Sequence, residues 1–133
     1  MNAWNFGSFD NDSARDFTVE VVQDGGVALR EAFEVVLDPD MDYVEVEEGA
    51  RALAAAEILA AVLTGDTQHL TDAGLRHWVQ NADKTSLSDL RALAAEALNR
   101  VLAPDSELPE QWEDTADSGA WLSDVQRLRS TLG

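Results

Sequence analysis

The chain has 133 residues, with 26 acidic against 9 basic side chains, a formal net charge of −17 and no cysteine. That length suits one domain able to bury its own core, and the missing cysteine excludes disulfides, thiolate metal sites and cysteine nucleophiles. So negative a field repels nucleic-acid phosphates and anionic lipid, so neither nucleic acid nor membrane is an expected partner; basic proteins and divalent cations are what it favours.

Residues 1–12 set Trp4, Phe6 and Phe9 among Gly, Asn and Asp, which predicts an extended aromatic arm packed on the body. No basic stretch followed by an apolar one marks a leader here, so a cytoplasmic location is expected. Asp12 or Ser13 is a suitable N-cap for a first helix that turns Ala14, Phe17, Val21 and Val22 inward. A turn is predicted at Gln23-Asp24-Gly25-Gly26. In the second helix Ala28, Leu29, Ala32, Phe33, Val36 and Leu37 form a continuous stripe, which Asp38-Pro39 ends.

The third helix, about Glu47 to Thr64, carries apolar residues in nearly every direction around its axis, which places it in the middle of a bundle. Its apolar run from Ala52 to Leu63 is interrupted by Glu57 and is too short to span a bilayer. Gly65-Asp66 closes the helix. Leu70, Leu75, Trp78 and Val79 mark a shorter fourth helix starting near Thr71. Ser86-x-x-Asp89 resembles a capping box for a fifth, which turns Leu87, Leu90, Ala94, Ala97, Leu98 and Val101 inward. Ala103-Pro104-Asp105 breaks the chain, Ser106 is expected to cap a short sixth helix bearing Trp112, and Trp121, Leu122, Val125, Leu128 and Leu132 define a last one. Tyr43 to Glu47 alternates as a strand would, but no second strand offers itself as a partner. The expected fold is therefore all-α: a compact orthogonal bundle of six to seven short helices in one domain, the third central and the aromatic arm laid across it.

The acidity is uneven. Residues 1–50 hold thirteen acids and only Arg15 and Arg30, while residues 51–133 hold thirteen acids and seven bases. Its densest part joins helices two and three: Asp38, Asp40, Asp42, Glu45, Glu47 and Glu48. Alternating Asp between two helices is similar to a calcium loop, but Tyr43 stands where such a loop needs glycine, and Gly49 where it needs glutamate. The simpler reading is an acidic loop whose Glu47 and Glu48 favour the helix N-terminus through the macrodipole. Asp10, Asn11, Asp12, Ser13 and Asp16 form a second acidic group, of the residue types that turns and N-caps use.

Glu57 stands out because it faces the core from the most apolar helix. An unpaired carboxylate there would be very costly, so Glu57 requires an arginine, an indole N–H, backbone amides, a metal or its own proton. His69 and His77 lie in no catalytic signature, and there is no phosphate loop, nucleophile elbow or His-Glu-x-x-His. The favoured function is thus a non-enzymatic module that binds a basic protein partner, in the manner of immunity-type or nucleic-acid-mimicking proteins, through the Asp38–Glu48 loop and with no cofactor. One alternative is a carboxylate site of Asp10, Asp12 and Glu57 for Ca²⁺ or Mg²⁺, serving hydrolysis. Another is a structural or regulatory module whose charge gives only solubility.

The opening Ala3-Trp4-x-x-Gly7-x-Phe9-Asp10-Asn11-Asp12-x-Ala14-x-Asp16 resembles the start of a bacterial family catalogued as domain of unknown function 4259. Asp42-Tyr43-Val44-Glu45, the run from Ala50 to Glu57, and Asp105-Ser106-Glu107-Leu108 followed by Trp112 extend the resemblance over nearly the whole chain. Asn2 and Asn5 depart from it, standing where the family more often shows glycine. The resemblance implies no activity; it does place Asp10, Asp12 and Glu57 within the family's recognisable blocks.

Overall fold

The computed structural model describes residues 12–40, 42–65, 67, 70, 73–107, 109–110 and 118–132, with side chains described from residue 16 onward and, in the last helix, from 119. The expected aromatic arm with Trp4, Phe6 and Phe9 lies outside these residues, as does Trp112. The fold is all-α. In chain order the elements are α1 (Asp12–Asp24), α2 (Gly26–Leu37), α3 (Val46–Thr64), α4 (Ala73–Asn81), the single turn α5 (Lys84–Leu87), a 3₁₀ turn (Ser88–Leu90), α6 (Arg91–Val101) and α7 (Ser118–Leu132).

Helix α3 is the hub, packing against α1, α2, α4, α5, α6 and α7. Every residue from Gly49 to Val62 except Arg51 is buried, as its all-round apolar composition requires. Its alanines leave room for this many neighbours, while Leu53, Ile58 and Leu59 supply bulk to the core. Gly65 ends the helix with a left-handed φ of +80° that only glycine adopts without strain, and its N–H donates to the Ala61 carbonyl. The α1–α2 turn is tighter than the four residues expected. Gly25 alone makes it, at a φ of +70°, and α2 starts at the next residue.

The inward stripe of α2 is realised in Ala28, Leu29, Ala32, Phe33 and Val36, and that of the fifth predicted helix in all six of its residues. In α1, Phe17 and Val21 are buried, but Val22 is 44 % exposed, so the inward face is narrower than the pattern indicated. The capping expectation at Ser86 is corrected. Asp83 is the N-cap: its Oδ1 accepts from the Thr85 and Ser86 N–H groups, and the Ser86 hydroxyl donates to its Oδ2. These bonds hold the Asp83 carboxyl below the usual aspartate range, the Ser86 hydroxyl contributing most. Ser106 stands where the sequence pattern asks for a cap, immediately before the helical residues 107, 109 and 110; it is fully buried, and its hydroxyl makes no hydrogen bond among the described residues.

What Ser106 does is close the loop before α3. The alternating segment found its partner here: Val44 and Ser106 form an isolated parallel bridge, Val44 N–H donating to Asp105 O at 2.9 Å and Glu107 N–H to Val44 O at 2.8 Å. Glu107 then caps α3 from a distance in sequence, its Oε1 accepting from the Val46 N–H at 3.0 Å. No helix among the described residues is long and apolar enough to cross a membrane.

Candidate functional site

The loop residues singled out by charge divide into two groups. Asp38, Asp40 and Asp42 are exposed, and the Asp38 carboxylate closes a local turn by accepting from the Asp40 N–H at 2.9 Å. Glu45, Glu47 and Glu48 stand at the start of α3, where carboxylate oxygens from the three come within 4.8 Å of one another. Adjacent anions there are favoured by the unsatisfied N–H groups of the helix N-terminus.

Glu47 and Glu48 also take part in a larger feature. A groove of about 340 Å³ runs between α1, α2 and α3, lined by Phe17 and Glu20, by Ala28, Glu31, Ala32 and Val35, and by Glu47, Glu48 and Arg51. Its floor is apolar: Phe17, Ala28 and Ala32 are buried parts of the core, and Val35 remains 42 % exposed. Its rim is acidic, with glutamates from three helices and Arg51 as the single base. Glu20, Glu31 and Arg51 were not among the site residues expected from the sequence. Each stands one helical turn from another lining residue, Glu20 from Phe17, Glu31 from Ala28 and Arg51 from Glu47, so the local periodicity marks it only as the edge of a face. That three such edges meet is decided by packing.

A family model described as a domain of unknown function (DUF4259) matches residues 2–124, nearly the whole chain. The chain belongs to the DUF4259 family. No curated protein and no solved structure matches it. The site of this DUF4259 protein is therefore read from its own residues.

Of the alternative metal set, Asp10 and the Asp12 side chain lie outside the described residues. Glu57 meets an arginine. Its side chain is 6 % exposed, and both of its oxygens accept from Arg127 Nη2, at 3.1 and 3.0 Å. Arg127 also donates through Nε to Asp124 Oδ1 at 3.2 Å. Partial burial alone would lower the Arg127 pKa, but the Glu57 and Asp124 carboxylates outweigh it and raise it above the ordinary arginine value. The network ties the hub helix to α7, so the requirement read from the sequence is met by a residue 70 positions away.

A second tie secures the loop itself. The Tyr43 hydroxyl donates to Glu110 Oε2 at 2.8 Å, and this bond, with smaller contributions from desolvation and from the charges of Glu110, Glu107 and Glu45, pushes the phenol up to about 12. Tyr43 is the only tyrosine in the DUF4259 chain, so a spectrophotometric titration reads it alone. The folded protein is expected to ionise near 12, whereas Glu110→Gln, which removes the anion, should return the midpoint toward about 10. Because the folded value lies above the unfolded one, the bond's contribution is complete below about pH 10 and disappears as pH rises through the folded value.

Proposed function

We propose that this DUF4259 protein is a non-enzymatic interaction module that binds a positively charged partner protein in the α1–α2–α3 groove. The observation that carries the reading is the pairing of an apolar floor with a rim of Glu20, Glu31, Glu47 and Glu48. A lone acidic surface would serve solubility, but an apolar strip beneath acids suits a basic amphipathic segment, whose apolar side chains lose water while its cations meet carboxylates. The formal charge of −17 adds long-range attraction for such a partner. The proposed contact surface therefore moves from the whole Asp38–Glu48 loop to its last two residues, joined by two glutamates from other helices.

The test uses a labelled synthetic helical peptide of lysine and leucine, with the lysines on one face, titrated with the full chain. Binding is expected to weaken with added salt. E20Q/E31Q/E47Q/E48Q should weaken it by roughly 10- to 100-fold, summing several exposed charge pairs. D38N/D40N/D42N, which removes almost as much charge outside the groove, should change it far less. Equal losses in the two variants, or none in the first, would refute the groove as the site.

A further inference from the structure

The lining of the groove also specifies which cationic chemistry fits. Resting on the groove reading above, we infer that it is a binding site for free linear aliphatic diamines and polyamines, which would compete there with the basic partner. Such a ligand has two properties: ammonium groups at intervals, and a methylene chain between them that gains from leaving water. The groove offers a place for each. Carboxylates stand on the rim, contributed by α1, α2 and α3, so cations spaced along one chain can reach acids on different walls. Ala28 and Ala32, one turn apart on α2, line the groove together with Phe17 and Val35, and their small side chains leave space that a methylene chain would fill.

The volume of about 340 Å³ lies within the roughly 300–1,000 Å³ range of small-ligand sites. A hydrated divalent metal ion would use the rim and gain nothing from the floor. Arg51 is exposed and forms no salt bridge among the described residues, and it stands in the lining as the one group that repels an ammonium.

Calorimetric titration of the full chain with diaminobutane, diaminooctane and Mg²⁺, all of the same formal charge, separates floor from rim. Diaminooctane is expected to bind about tenfold tighter than diaminobutane, from partial burial of the added methylenes, and Mg²⁺ to bind more weakly than either. Ala32→Leu fills that space without changing charge and should abolish the chain-length dependence. E20Q/E31Q, at two exposed positions of the rim, should weaken both diamines about three- to tenfold. Arg51→Gln should tighten them about threefold.

Mg²⁺ binding as tightly as the diamines, or equal affinity for the two chain lengths, would overturn the inference. If the lysine–leucine peptide binds in the groove but diamines do not, the amine site is refuted and the interaction module stands. If neither binds, both are refuted.

Discussion

Arg127→Leu is expected to destabilise the protein by about 3 kcal/mol, within the range for removing one partner of a buried ion pair. For a chain of this length that lowers the melting temperature by about 10 °C. Glu57, 6 % exposed and buried on α3, keeps its charge and loses the Arg127 guanidinium, so desolvation of the carboxylate adds to the lost attraction. Because Arg127 is 38 % exposed, water reaches the vacated position and keeps the cost below the upper end. The double variant E57L/R127L separates the two terms. With both charges gone, hydrocarbon replaces the pair and most of the loss should be regained. Thermal and urea melts of the three proteins check this; a double variant no more stable than R127L would show that the pair stabilises by more than relieving its own desolvation.

A larger effect is expected at Phe33. Its side chain is fully buried on α2, the helix that packs against both α3 and α6, and it belongs to the main core. Phe33→Ala removes the ring and leaves a cavity that these helices fill only in part, at a cost of about 3–5 kcal/mol. Against a total stability of roughly 5–15 kcal/mol, that leaves a marginal fold. Phe33→Leu keeps most of the volume and should cost about 1–2 kcal/mol. Urea denaturation measures both, and an unchanged denaturant slope would assign the loss to the folded state. A loss below about 1 kcal/mol for Phe33→Ala would mean that the three helices close over the site, contrary to the packing around a hub of small residues.

How much of this was legible in the sequence follows the range of each interaction. Helical stripes depend on residues three or four apart, so the buried faces of α2 and α6 and the all-round burial of α3 could be read directly. Where two local rules competed, the residue types alone did not decide between them. Ser86 and Asp83 both have N-cap chemistry; the helix took Asp83, and the Ser86 hydroxyl became one of its donors. Val22 continues the stripe of α1 in sequence but lies at its margin in space, exposed to solvent. Ser106 was legible as the residue before a helix, while its bridge to Val44, 62 positions earlier, was not.

The charged residues show the same division. That Glu57 needs a partner followed from burying a carboxylate in an apolar helix, a fact about one residue and its immediate neighbours. That the partner is Arg127, held also by Asp124, depended on where α7 docks. That the chain is strongly acidic was plain from its composition, and the sequence located the densest charge between Asp38 and Glu48. Which of those acids share a surface with Glu20, Glu31 and Arg51, over an apolar floor, was settled only by the packing of α1, α2 and α3. Periodicity tells which face of a helix is wet; it holds no record of which wet faces lie side by side.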